Sequence, residues 1–380
     1  MLFPSLMVST FAVVSVLDRT HALPIQTNSS KDAWSNDTRK LNRRAPTPIT
    51  LDLSPVVIRG LEVGYTTNIQ IGGNPNDFKV LMDTGSSTFW VIHESSRQKG
   101  NHNTIGPGTS QTLRVSDNPF SIAYNDGAEL SGVVGSDSVN VGGAVVNGLP
   151  FGVANVLNAA IAGGVEDGVM GLARGVRSRT GTPTVLEILA RLHIIPAPVM
   201  GWGIGRRNSE VMFGGINQRK FTGQLRQVPM RSSRDPAQQR FDNGAIRVEI
   251  SQASMGNSII TTSPRIGILD TGASAIHTPA SDAARLNAQI PGNVLSPEGH
   301  TLIPCQNAIP LSLNIGNVWY TLDPRDIVGP PVPQAPGLCF SNIVGDLLED
   351  EDWTIGIPFF KNFYVVMDLV ASQVGLATLV

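Results

Sequence analysis

Val80-Leu81-Met82-Asp83-Thr84-Gly85-Ser86-Ser87 has a near copy further along the chain, Ile268-Leu269-Asp270-Thr271-Gly272-Ala273-Ser274. Each segment carries an aspartate out of an apolar run into an Asp-Thr-Gly turn followed by small or hydroxylated residues. A single turn of this kind is ordinary, because strands that end in polar loops use these residue types anyway. Two of them imply a pair of similar half-structures meeting at two carboxylates. Carboxylates that share a proton have separated apparent pKa values and can act as an acid and a base together.

Working outward, the repeat extends beyond the aspartates. Val169-Met170-Gly171 follows the first, with its glycine 88 residues after Asp83, and Ile355-Gly356 follows the second, with its glycine 86 residues after Asp270. A glycine at the end of an apolar pair lets two backbones approach without a Cβ between them. The pattern points to duplication of one β unit. Gly64 to Ile71 alternates as a strand, Gly72 to Asn76 is a turn, and Phe78 to Met82 is a second strand. Phe120–Tyr124 and Glu129–Val133 flank Asn125-Asp126-Gly127 as a β-hairpin, and Val139 to Gly143 continues the pattern. Helical signals are few: one from Thr182-Pro183 through Leu192, and one near Ser281 to Leu286. The fold class is mainly β, in two matched halves, 45–222 and 223–380, whose boundary falls between Gly214 and Pro229.

The ends read as processing segments. Met1 to Val16 is apolar, is followed by Thr20-His21-Ala22, and is short for a membrane span, so 1–22 reads as a signal peptide, although no Lys or Arg precedes the apolar run. Residues 23–44 are polar, carry the glycosylation acceptors Asn28-Ser29-Ser30 and Asn36-Asp37-Thr38, and end in dibasic Arg43-Arg44, as a propeptide does. The 28 basic and 30 acidic side chains give a formal charge of −2, and residues 1–44 remove more basic than acidic charge. That balance argues against nucleic acid or an anionic membrane as partner. With no second stretch of spanning length, the chain reads as a secreted, extracellular protein without a membrane anchor. The two cysteines, Cys305 and Cys339, pair in an oxidising compartment or else lie as two buried thiols. Pairing would contribute about 3–4 kcal/mol through loop closure. No metal-ligand spacing is present, and no metal or cofactor is expected.

D-T-G-S-S-T-F-W-V, I-A-Y-N-D-G, E-D-G-V-M-G-L-A, L-D-T-G-A-S and W-T-I-G-I-P-F-F occur in the order of the pepsin-like aspartic proteases. The chain resembles that family over nearly all of its length after residue 44. Its sparse cysteines, I-V-G-D segment and short G-L-A-T ending are most similar to the polyporopepsin-type members of basidiomycete fungi. The resemblance implies a bilobal β fold, two pseudo-symmetric lobes with an active-site cleft between them, and a secreted zymogen. It implies an endopeptidase with an acidic optimum, acting on polypeptides with apolar residues flanking the cut, as a monomer inhibited by pepstatin. Carried over residue by residue, Asp83 and Asp270 are the catalytic dyad. Thr84 and Thr271 hold the two loops, Gly85 and Gly272 bring N–H groups to the carboxylates, and Ser86 donates to Asp83. Tyr124, Asp126 and Gly127 belong to a flap that closes over substrate, Trp90 partners the tyrosine, and Val169 lines a pocket. Asp126 is the residue expected to favour Lys before the scissile bond.

The sequence departs from the family in three places. Ala273 stands where a hydroxyl residue is usual, so Asp270 loses a donor and the upper limit of activity should move to higher pH. Asn125 replaces a flap glycine, a change that asparagine's tolerance of left-handed backbone accommodates. Ile357 stands where an acid or Gln is common. The alternative function is a catalytically silent binding protein on the same fold, which the presence of both turns and Tyr124 disfavours. Gly201 to Gly205 reads as a glycine-rich strand and turn, not a nucleotide loop, and Ser274 with His277 makes no triad.

Overall fold

The two Asp-Thr-Gly turns sit at the ends of strands in two separate eight-stranded sheets, and the pairing around them is the same in both. In this computed structural model, which describes residues 45–58, 60–124, 127–175, 178–232, 244–261, 263–306, 308–347 and 352–380, Phe78–Asp83 runs parallel to Gly168–Gly171 with Asp83 opposite Gly171. Gly168–Gly171 is in turn antiparallel to Phe89–Ile92, which lies parallel to Ala144–Leu157. In the second sheet Arg265–Leu269 runs parallel to Trp353–Ile355, which is antiparallel to Ile276–Pro279, itself parallel to Ile343–Leu347. Both repeat glycines pack closely: a Cβ on Gly171 would strike the 86–88 backbone, and one on Gly356 the carbonyls of Ala273 and Ala275. The duplication read from the sequence is therefore a duplication of topology.

A six-stranded antiparallel sheet joins early, middle and late segments of the chain, in the order Ile49–Asp52, Glu210–Phe213, Val199–Gly203, Phe363–Asp368, Gln373–Leu379 and Phe221–Pro229. The last of these strands runs across positions 222 and 223. A four-stranded sheet of Val294–Leu295, Thr301–Pro304, Leu338–Ser341 and Val328–Pro331 completes the architecture. Its cysteines pair: Cys305 is bonded to Cys339, with Cα atoms 5.1 Å apart. One large apolar core runs through both eight-stranded sheets and the six-stranded sheet. A second, smaller core gathers Trp90, Tyr124, Ile161 and Val169 under the hairpin.

The local elements follow the residue chemistry. The helix Val185–Arg191 starts on a capping box, Thr184 accepting from the Glu187 N–H while Glu187 reaches back, and it buries Val185, Leu186, Ile188 and Leu189. The second expected helix is Ala280–Asn287. Glu129–Val141 is one continuous strand, where the sequence suggests two separate runs. Arg114–Ala123 and Ala144–Leu157 pair on its two sides, so its backbone groups are satisfied through a stretch too polar and glycine-rich to read as a strand. Gly201 to Gly203 lie in the strand Val199–Gly203 and carry Trp202 fully buried. The signal and propeptide readings, Asn125 and Asp126 fall outside the described residues.

Candidate active site

Asp83 and Asp270 are both fully buried, each at the mouth of an apolar strand. The turns that hold them are locked to each other through their threonines. The Thr84 N–H donates to Thr271 Oγ1 at 3.1 Å and the Thr271 N–H donates to Thr84 Oγ1 at 2.9 Å. Each hydroxyl then donates across to the other segment, Thr84 to the Leu269 carbonyl at 2.8 Å and Thr271 to the Met82 carbonyl at 2.7 Å. Four hydrogen bonds made by two buried side chains fix the turns face to face, where neither hydroxyl has slack.

Glycine at the next position is a steric requirement. A Cβ on Gly85 would overlap the Asp270 carboxylate, and a Cβ on Gly272 would overlap that of Asp83. Each glycine lies against the opposite half's carboxyl group while its N–H serves its own. The Gly85 N–H reaches Asp83 Oδ1 at 2.8 Å, and the Gly272 N–H reaches Asp270 Oδ1 at 2.7 Å. Two neighbouring acids in a buried site cannot both ionise easily, the effect for which aspartic-protease dyads are the standard illustration.

The outer oxygens differ. Ser86 donates its hydroxyl to Asp83 Oδ2. Asp270 Oδ2 has no protein donor, and Ala273, fully buried, supplies no hydroxyl. Burial pushes the Asp83 carboxyl up to about 6, against the pull of Ser86 and Gly85. Burial and the neighbouring Asp83 push Asp270 well above the ordinary carboxylate range, with only backbone donors opposing. The donors thus favour the charged form more at Asp83 than at Asp270.

Tyr124 follows the strand Arg114–Ala123, and its hydroxyl accepts a 2.7 Å hydrogen bond from the Trp90 indole N–H. Trp90 lies opposite Val169 in the sheet, so tyrosine, tryptophan and valine share one buried cluster. Gly127 closes the hairpin: its N–H reaches the Tyr124 carbonyl at 3.0 Å and its own carbonyl accepts from Asn158 at 2.7 Å. Among the described residues no group of three His, Cys, Asp or Glu side chains could hold a metal. Sequence reasoning missed two buried aspartates that brace the repeat, Asp167 and Asp352. The signal was present, since Glu166-Asp167-Gly168-Val169 and Glu351-Asp352-Trp353-Thr354 occupy matching places in the two halves.

Residues 64–379 match the family described as eukaryotic aspartyl protease. The chain belongs to that family. Among its relatives, the "Probable aspartic-type endopeptidase CTSD" of Trichophyton verrucosum is 30% identical over 326 residues, covering 84% of this chain but 61% of that protein, so the chain spans about three fifths of this fungal relative. Rhizopuspepsin of Rhizopus chinensis is 29% identical, with 85% of this chain and 80% of that protein aligned. Pepsin A of Canis lupus familiaris is 28% identical, with 83% and 81% aligned. No helix among the described residues of this aspartyl protease family member is long and apolar enough to cross a membrane.

Proposed function

We propose that this chain is an aspartic endopeptidase that hydrolyses peptide bonds with a water activated between Asp83 and Asp270. The observation that carries the reading is the pair of interlocked turns, which present two buried carboxyls with unlike donors. Ionised Asp83 takes a proton from the water as its oxygen attacks the scissile carbonyl carbon. Protonated Asp270 hydrogen-bonds the carbonyl oxygen, and the proton then passes to the leaving nitrogen as the C–N bond breaks. Thr84 and Thr271 keep the reacting groups in register, and Gly85, Gly272 and Ser86 set which carboxyl is charged. Tyr124 and Gly127, with Asp126, form the flap that covers substrate, steadied by Trp90. Val169 and its apolar neighbours form the pocket that favours an apolar residue beside the cut.

The division into lobes at 222/223, secretion from a signal peptide at 1–22, release of a propeptide at 23–44, monomeric state and polyporopepsin-like affinity belong to the same proposal. The paired cysteines and the sequence of the first 44 residues support secretion and propeptide release. The test is digestion of an unfolded protein at acid pH by the secreted chain, with and without pepstatin. Cleavage that pepstatin abolishes is expected. Cleavage indifferent to pepstatin overturns the reading, and a folded, pepstatin-binding chain that cuts nothing points to a silent binding protein.

A further inference from the structure

Asp167 and Asp352 occupy equivalent places in the two halves of the molecule. Val80 lies opposite Gly168 and Gly267 opposite Trp353, three residues ahead of Asp83 and Asp270, so each aspartate immediately precedes the strand that pairs with a catalytic segment. Both are buried, and a buried carboxylate needs donors or a cation. In the second half the cation is permanent. Arg247 Nε lies 2.9 Å from Asp352 Oδ2, with both side chains only 2% exposed.

In the first half a histidine takes the corresponding place. His102 Nδ1 lies 3.6 Å from Asp167 Oδ1, with side chains 7% and 11% exposed. The other ring nitrogen, Nε2, lies 3.4 Å from the Ala162 carbonyl oxygen. A neutral imidazole has one N–H, so an oxygen facing each ring nitrogen favours the doubly protonated ring over the neutral one. Asp167 also ties down the catalytic strand itself. Its Oδ2 accepts from the Lys79 N–H at 2.8 Å, its N–H donates to the Lys79 carbonyl at 2.7 Å, and its Oδ1 accepts from the Asn103 N–H at 2.8 Å. Lys79 lies four residues before Asp83, and at the far end the Leu172 N–H closes on the Asp83 carbonyl at 2.7 Å. Ala162 ends the short helix whose Ile161 packs into the cluster of Trp90, Tyr124 and Val169.

We infer that protonated His102 is a positioning residue for the Asp83 half of the site, and that its loss of charge loosens this half toward neutral pH while the Arg247-braced half does not respond. The link to catalysis rests on the proposed function; the link to stability does not. The charged groups around the ring favour its protonated form. Asp167 raises the pKa of His102 above the ordinary imidazole value, burial opposes it, and the Ala162 carbonyl and Glu166 add to the rise. On the preceding turn, the Lys99 ammonium is engaged by the Glu94 carbonyl, and the strand Phe78–Asp83 offers Asp167 only the Lys79 backbone. A folded-state pKa above the unfolded one gives stability that is complete below about pH 6.5 and lost as pH rises through the folded value.

The test uses the full chain carrying Asp270→Asn, so that it does not digest itself, with and without His102→Gln. Histidine C–H resonances are titrated by NMR and thermal unfolding is followed from about pH 5 to 8. The resonance missing from His102→Gln is expected to titrate above the ordinary imidazole value. Tm of the parent is expected to fall across that interval, and Tm of His102→Gln to start lower and fall less. In the otherwise native enzyme, His102→Gln should lower kcat/KM most at acid pH, with the ratio to wild type narrowing as pH rises. A resonance titrating at or below the ordinary value, or a Tm difference constant with pH, overturns the inference. A flat activity ratio overturns its link to Asp83. A folded wild-type chain that cleaves nothing, with the titration intact, overturns the proteolytic reading and leaves the holding role of His102 standing.

Discussion

Asp83 and Asp270 share a turn but not a set of donors, and the difference is one hydroxyl. Ser86 serves Asp83, and nothing of the kind reaches Asp270 Oδ2. Returning that hydroxyl by Ala273→Ser would favour the charged form of Asp270 and lower its pKa. A hydrogen bond to a charged group is worth about 1.5–3 kcal/mol, and 1.36 kcal/mol corresponds to about one pKa unit. The upper limb of kcat/KM against pH should therefore move about one unit to the acid side, and an unmoved limb would count against the asymmetry. Asp126 supports a second prediction at this scale: Asp126→Ala should depress cleavage after Lys while sparing cleavage after Phe, measured on paired peptides. The two Asp-Thr-Gly turns could be read in the sequence, because their chemistry is local. His102 could not, because its partners are the carboxylate of Asp167 and the carbonyl of Ala162, brought to it only by folding.

The elements that matter most are the two turns and the strands behind them. Each threonine hydroxyl accepts from one backbone N–H and donates to one carbonyl, all buried. Thr84→Ala leaves the Thr271 N–H and the Leu269 carbonyl without these partners, each costing about 1–3 kcal/mol. Denaturant unfolding should show a loss of that size, and kcat should fall more than KM rises because the carboxyls lose their register. Repeated pairing was legible from two glycines at matching offsets, whereas the length of Glu129–Val141 was not. A central strand draws its hydrogen bonds from both neighbours, so its extent depends on Arg114–Ala123 and Ala144–Leu157 more than on its own side chains. The disulfide was legible only as one of two alternatives. It closes on the four-stranded sheet, where Thr301–Pro304 pairs with Leu338–Ser341.

At the scale of the molecule, ion pairs tie distant segments together. Lys361 joins Glu62 at 2.9 Å and Asp326 at 3.5 Å, and Arg206 joins Asp323 at 3.2 Å and Asp326 at 3.0 Å, so distant parts of the chain meet through ion pairs. Arg325 holds Asp323 down at about 2. Burial alone would raise Glu62, yet Lys361 and Tyr65 outweigh it and lower its pKa. Depressed carboxyls contribute stability that is present above their unfolded values and lost as pH falls through the folded ones. The buried dyad works in the opposite sense. Its folded pKa values are raised, so its stability is complete below the ordinary carboxylate pKa and declines as pH climbs through the folded values. Replacing one acid by a neutral isostere removes that cost, so Asp270→Asn should raise Tm at neutral pH and change it little at about pH 3. The same variant, beside Asp83→Asn, tests the central claim most directly. Steady-state kcat/KM on one peptide at acid pH should fall at least about a thousandfold in each, within the reach of acid–base catalysis by paired groups. Either variant retaining activity within tenfold of wild type, while still folded, would contradict a reaction carried by the two carboxyls together.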